Sequence, residues 1–323
     1  MKSVQQQEQE VINYWFHQHG SVRTPENQDV FDYIEKVNKR NRQNMEPITL
    51  AEINASTLIN RTAQQWCADN FDYLNKPIRY FGSSRKVEKG ADKYDTYVMY
   101  LQPADKVATE TLCSFADLAG CKAPCLISSG QLGMSVGQNA ATKSTVLMLL
   151  RPLNFRATLL SEIDKAERKA LKTGIPALFR LNGTSDIDFT DIMLQRPESM
   201  FYDYTKILSR VRKNTLPNFD LTFSGSMFST QSKAALRKAV GAKYRIAMAY
   251  NTKGLADDGL QINHSLKSFD TTDLRHLDDN VVGTLTRKGS NKKERATDNL
   301  RSDSFFVTSA NVLEFNDIIA IGG

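Results

Sequence analysis

From about Asp95 onward, short apolar strands alternate with polar loops and long helical stretches, and no other feature limits the fold of this chain as much. Strand-length segments fall at Tyr97–Leu101, Ala177–Leu181, Asp220–Phe223, Arg245–Tyr250 and Val281–Leu285. Helical periodicity fills the gaps, over roughly Ser135–Leu149, Arg156–Lys172, Met200–Val211 and Thr230–Val240. Gly174-Ile-Pro176 closes one helix just before a strand, because glycine accepts the left-handed turn after a helix and proline cannot continue it. Neighbouring parallel strands need a crossover between them, so this rhythm predicts an α/β domain with a mainly parallel sheet. The sheet would be open, or would curl into a partial or complete parallel (β/α) barrel.

The first 90 residues read differently, and we divide the chain into an N-terminal helical module, 1–90, and an α/β domain, 91–323. A helix over Gln6–Gln18 would place Val11, Ile12, Trp15 and Phe16 on one face, and a second over Asn27–Asn38 would bury Val30, Ile34 and Val37. Within Pro47–Asn75, Thr49 and Glu52 have the spacing of a capping box. A turn near Asn54–Thr57 and a helix from about Asn60 follow, with Ala63, Trp66 and Cys67 facing inward. This is a helix-turn-helix-like pattern. Its second helix would offer Arg61, Gln64 and Gln65 to phosphates and base edges, with the basic run Arg79–Lys93 as a wing or linker. A helical cap packed on the main domain has the same signature.

The formal charge of +6 permits contact with nucleic acid without requiring it. No apolar run approaches the ~20 residues of a membrane span. The opening MKSVQQQEQE lacks the apolar core of a signal peptide, so the sequence predicts a cytoplasmic protein. In a reducing compartment, clustered cysteines favour metal or redox roles over disulfides. Three of the four cysteines, Cys113, Cys121 and Cys125, share one turn-rich loop that follows the first predicted strand.

Ligand sites of parallel α/β folds gather at the C-terminal ends of the strands. After the first strand comes the cysteine loop; after the second, Asn182, Gly183, Thr184, Ser185 and Asp186; after the third, Ser224-Gly-Ser226. Asn251-Thr-Lys-Gly254 and Arg287-Lys-Gly289 follow the last two. Three thiolates with a fourth position open suit a [4Fe–4S] cluster, or zinc with a histidine or water as fourth ligand. His264 and His276 are candidates by composition, whereas His17 and His19 fit a solvated helix face. A second polar stretch, Ser268–Asp279, interleaves Asp270, Asp273, Arg275, His276 and Asp278; such a mixture serves acid–base work or a salt-bridged surface loop. The basic run Arg287–Arg301 reads as solvated, or as a nucleic-acid contact.

The chain resembles the gene-product-88 family of phage proteins. The resemblance rests on C-x-x-A-x-x-x-G-C-x-x-x-C-L (Cys113–Leu126), Ser129-Gly130, RLNGTSD (Arg180–Asp186), FYDYTK (Phe201–Lys206), LTFSGS (Leu221–Ser226), DLR (Asp273–Arg275) and VVGTLTRKG (Val281–Gly289). It covers about residues 95–310, leaves 1–90 outside, and implies a phage origin and a host-cytoplasm setting. The layout is also similar to radical S-adenosylmethionine enzymes, in which a cysteine loop follows the first strand of a partial barrel. The cysteine spacing departs from the C-x-x-x-C-x-x-C usual there, which touches both the reaction and the metal.

The enzyme that this implies would hold iron–sulfur at Cys113, Cys121 and Cys125 and S-adenosylmethionine at Asn182, Ser185 and Ser224. Asp186, Asp273 and Arg275 would be its catalytic groups, and a nucleotide or nucleic acid its substrate. Two other classes stay open: a DNA-binding replication or regulatory protein with structural zinc, and an effector that binds a host protein.

Overall fold

The computed structural model describes residues 4–19, 24–43, 46–82, 91–263, 266–289 and 292–321. Eight strands form one sheet: β1 (Phe81–Gly82), β2 (Asp95–Met99), β3 (Ala177–Arg180), β4 (Met200–Thr205), β5 (Phe219–Ser224), β6 (Ile246–Tyr250), β7 (Leu266–Ser268) and β8 (Val282–Thr286). Their spatial order is β1-β2-β3-β4-β5-β6-β8-β7, and every pair is parallel except β1 with β2. From β2 to β6 the order in space is the order in the chain. A doubly wound sheet reverses direction at a central switch point; this one winds one way from β2 to β6, and only the last step, from β7 back to β8, turns round. The sheet ends in two edges, β1 and β7, so the expectation of a complete barrel is corrected to an open sheet.

The expected helix over Met200–Val211 is also corrected. Its first half is β4, and only Leu208–Lys213 is helical. Phe201 and Tyr202 point to opposite faces and both are fully buried, so the aromatic run Met-Phe-Tyr-Asp-Tyr-Thr serves a strand covered on both sides. The helices Ser135–Leu150 (here α6), Pro152–Thr173 (α7) and Thr230–Gly241 (α10) lie where periodicity places them. Gly174 caps α7 in the left-handed conformation, with φ 73°.

One face of the sheet packs against helices. Met99, Phe179, Phe201 and Phe219 meet Val146, Phe155, Leu159 and Ile163 there, and Phe223, Ile246, Met248 and Tyr250 meet Leu236, Phe315 and Ile318. The other face is covered by the chain's own return between β7 and β8. Leu274 packs on Leu178 and Tyr202, and the Phe269 ring lies against Gly283, where any side chain would collide with it.

The N-terminal helices are α1 (Val4–His19), α2 (Gln28–Gln43), α3 (Leu50–Ala55), α4 (Arg61–Asp69) and α5 (Phe71–Leu74). Ile12, Phe16, Ile34 and Val37 are buried as the stripes predict, while Val11 is exposed. The Thr49–Glu52 capping box forms. Ile53, Ile59, Ala63, Cys67 and Leu74 belong to the same hydrophobic cluster as Met99 and Phe179. Lys143, fully buried on α6, donates to the carbonyls of Tyr73 and Lys76 and so ties the end of α5 to the sheet domain. No helix among the described residues is long and apolar enough to cross a membrane.

Candidate functional site

The loop between β2 and α6 arches over the C-terminal ends of the strands, and each footing of the arch is a specific contact. At β3, the Gly183 N–H donates to the Met99 carbonyl at 2.9 Å, Thr184 Oγ1 to the Leu101 carbonyl at 2.6 Å, and the Asp186 N–H to the Leu112 carbonyl at 3.1 Å. A Cβ at Gly183 would stand 2.7 Å from the Met99 carbonyl oxygen, so only glycine allows this approach. At β5, Ser226 Oγ donates to the Ala119 carbonyl at 2.7 Å. Ser229 and Ser232, in the first turn of α10, reach the Leu118 carbonyl at 2.7 and 2.8 Å. Beyond β8, Gly289 sits against Ser129, leaving no room for a side chain.

The three cysteines ride on this arch, all free and half-buried. The Cys113 thiol donates to the Thr184 carbonyl and the Cys121 thiol to the Ala116 carbonyl, both at 3.8 Å. Burial, with smaller contributions from the other two cysteines and Asp186, pushes Cys113 up to about 11. Burial also raises Cys125, which Cys121 reinforces and Lys106 and Lys206 oppose. The three sulfurs therefore lie within electrostatic reach of one another. Among the described residues no three histidine, cysteine, aspartate or glutamate side chains are drawn together closely enough to hold an ion. His276 lies apart, edge-on to Tyr94; His264 and part of the wing segment (83–90) fall outside the described residues, as do the side chains of His17 and His19.

Below the arch, the predicted ligand groups are engaged with protein. Asn182 Nδ2 donates to Asp203 at 3.0 Å and to the Ile187 carbonyl at 3.0 Å, while its Oδ1 accepts from Ser185 Oγ and the Ile187 N–H. Asp186 accepts from Thr205 Oγ1, from the Lys206 N–H and from Arg210, which buckles the ends of β3 and β4 together. Ser224 accepts from Lys206 Nζ at 2.9 Å.

Asp273 and Arg275 sit on the covered face of the sheet. Asp273 accepts from Tyr202 and Tyr204 at 2.9 and 3.0 Å and from Arg180 at 3.1 Å. Arg275, 1% exposed, lies over the Phe269 ring and pairs with Asp278 at 3.0 Å. In the N-terminal region, Arg61 and Gln65 are exposed on α4, while Gln64 turns back to the Ser56 carbonyl at 3.0 Å. Asn60 caps α4 and donates to the Asp105 carbonyl, joining this corner to the segment that leads into the arch. The basic run forms the exposed helix Lys292–Asn299, and its first residue, Arg287, is drawn inward to Asp298 at 2.5 Å.

Sequence reasoning missed Arg180, Asp203 and Lys206. All three lie on or directly beyond β3 and β4, and reading β4 as helix hid the last two from a strand end. Arg180 lies between Asp273 and Asp203, the latter at 3.5 Å. Burial raises Asp203 to about 6, against the opposing pull of Arg180 and Asn182. The folded state therefore holds the Asp203 proton more tightly than the unfolded chain. Its stabilising effect is complete below about 3.8 and is lost as pH rises through about 6. Wild-type protein should lose about 3 kcal/mol of stability from this group over that window. Urea denaturation between pH 4 and 7 should show that slope flattened in Asp203→Asn; equal slopes would remove Asp203 as its source.

A family model described as gene product 88 matches residues 75–301, well over half of the chain. No curated protein and no solved structure matches it.

Proposed function

We propose that this chain, which belongs to the gene product 88 family of phage proteins, is a metal-dependent enzyme whose three-cysteine loop caps the mouth of a partial (β/α) barrel. One observation carries this reading: the loop that bears all three thiols follows the first parallel strand and is pinned across the C-terminal ends of β3, β5 and β8. A structural zinc knuckle has no need of such a position, whereas a reaction centre in a parallel α/β fold belongs there.

The donors fit a soft metal in kind. Cys113 and Cys121 spend their protons on backbone carbonyls, and a thiolate cannot donate. Metal binding, which deprotonates the ligands, would therefore release both sulfurs from those carbonyls and free them to turn toward Cys125. The positive charges of Lys106 and Lys206 favour the thiolate at Cys125. A [4Fe–4S] cluster held by three cysteines supplies electrons and one open iron position for a cosubstrate such as S-adenosylmethionine.

The protein's own part is placement. Asn182 and Ser185 fix the loop after β3, Asp186 locks that loop to β4 through Arg210 and the Lys206 backbone, and Ser226 holds the arch at β5. A nucleotide or nucleic acid substrate suits the net positive charge and the cations near the arch.

Anaerobic purification followed by iron, sulfide and zinc analysis tests the reading. The expected result is a brown protein with iron and acid-labile sulfide, lost when Cys113, Cys121 and Cys125 are replaced together by serine. A colourless protein that holds one zinc per chain would reject the iron–sulfur cluster and its S-adenosylmethionine chemistry, and a protein without metal would reject the metal-dependent enzyme.

A further inference from the structure

We propose that Lys206 and Ser224 form a binding subsite for an anionic oxygen group, phosphate or carboxylate, on the ligand that enters beneath the cysteine arch. The inference deepens the reading above and rests on it for the nucleoside character of that ligand.

Lys206 is the first residue beyond β4, at the strand end where ligands of parallel sheets lie. Its backbone is fixed by the N–H bond to Asp186 at 3.0 Å, so the start of the side chain does not wander. Its ammonium is half-buried between the Ser224 hydroxyl, 2.9 Å away, and the ring of Phe305, 4.3 Å from the centroid. A half-buried ammonium normally has a carboxylate beside it, because partial desolvation costs more than a hydroxyl and a ring return. Among the described residues, Lys206 has no carboxylate within ion-pair distance, while the nearby Asp186 is taken by Arg210.

Most neighbouring cations divide differently. Lys122 on the arch is paired with Asp105 at 2.8 Å, and beyond β8 Arg287 is paired with Asp298 and Lys288 with Asp270 at 3.1 Å; Lys106, also on the arch, reaches only the Ser128 hydroxyl and is solvated. Lys206 is thus a half-buried positive charge at the C-terminal ends of the strands whose counter-charge is left to an incoming molecule. Ser224, on the neighbouring strand, adds a hydroxyl donor to the same oxygen. The half-exposed Phe305 offers an apolar wall beside it.

Titration calorimetry on the full chain, purified without metal, tests this with four probes. These are adenosine 5′-monophosphate, adenosine, S-adenosylhomocysteine and methylthioadenosine, the last lacking the carboxylate of the third. A phosphate subsite gives the monophosphate about tenfold or more tighter binding than adenosine, and a carboxylate subsite gives S-adenosylhomocysteine the same advantage over methylthioadenosine. In either case Lys206→Met abolishes the advantage and Lys206→Arg keeps most of it. Should Lys206→Met fail to fold, Ser224→Ala must reduce the same advantage severalfold. The proposal is overturned if neither anion adds affinity, or if the advantage survives in Lys206→Met. Metal content is measured separately, so absence of iron would sink the cluster and leave this result standing.

Discussion

Arg180→Met is expected to lower the stability of the folded chain by about 3–5 kcal/mol, the usual result of deleting one member of a buried ion network. Arg180 lies on the covered face of the sheet between two carboxylates, Asp273 at 3.1 Å and Asp203 at 3.5 Å. Burial acts against its charge, and the surrounding acidic groups, Asp273 first and Asp203 among the others, more than compensate. Methionine has similar length and would pack where the side chain runs, so lost volume is a small part of the loss. The larger part is electrostatic. Asp273 would lose Arg180 and keep its two tyrosine donors, and Asp203 would keep Asn182 and the Tyr204 N–H. Both carboxyls would then be drawn toward their protonated forms. The variant should therefore be least impaired at acid pH and most impaired above neutrality. Urea denaturation at pH 5 and pH 8 would show this as a midpoint difference that widens with pH. Adding Asp203→Asn and Asp273→Asn to Arg180→Met should recover much of the loss, because neutral amides need no cation. A triple variant no more stable than Arg180→Met would mean that Arg180 acts by packing alone.

The same residues mark how far the sequence could be read. Alternation along the chain foretold a parallel sheet with crossover helices because the period of apolar residues is a local property. It identified β2, β3, β5, β6 and β8, and the helices α6, α7 and α10. It failed at β4, where Met200–Thr205 runs straight toward a short helix, and the merged segment imitates one long helix. The strand's true signal was chemical, namely aromatic and β-branched residues at consecutive positions, which a single helix face cannot bury together. Asp273 and Arg275 mixed carboxylate and guanidinium in a way that suits catalysis as well as burial. Only the return of the chain between β7 and β8 decides where they lie, and that path is a long-range property. The cysteine loop was legible because three rare residues fall close together. Its footings were not, since Ser226 and Ser229 gain meaning only when the third crossover brings them under the arch, against the carbonyls beside Gly120. Residues of α3 and α4 carry the pattern of a helix-turn-helix corner, and their apolar faces join the sheet's own core.

Gly120→Ala is expected to lift the cysteine arch from the C-terminal ends of the strands while leaving the sheet intact. Gly120 has φ +66°, a conformation that costs an alanine about 1 kcal/mol, and an added Cβ would be driven into the ring of Phe228. The neighbouring carbonyls of Leu118 and Ala119 receive the hydroxyls of Ser229, Ser232 and Ser226, so a shift here breaks the β5 footing as a unit. No residue from 113 to 125 belongs to either large hydrophobic cluster, and the global unfolding midpoint should therefore move little. The sulfurs should respond strongly. Cys113, Cys121 and Cys125 are half-buried, with Cys113 held up near 11 by desolvation, and freeing the loop exposes them and lets Cys113 ionise more readily. Alkylation by iodoacetamide, followed by mass spectrometry of each cysteine, should speed up about tenfold or more, as expected for thiols moved from a buried to a solvated position. Where anaerobically prepared wild-type protein carries iron, its retention should fall in parallel. Gly130→Ala provides the internal comparison. Its φ is +57° with nothing within 4 Å of the added carbon, so it carries the backbone cost without the collision. If the two variants behave alike, backbone strain alone governs the loop. If only Gly120→Ala exposes the thiols, the docking of the arch on Phe228 and the β5 loop is what holds the three sulfur donors over the strand ends.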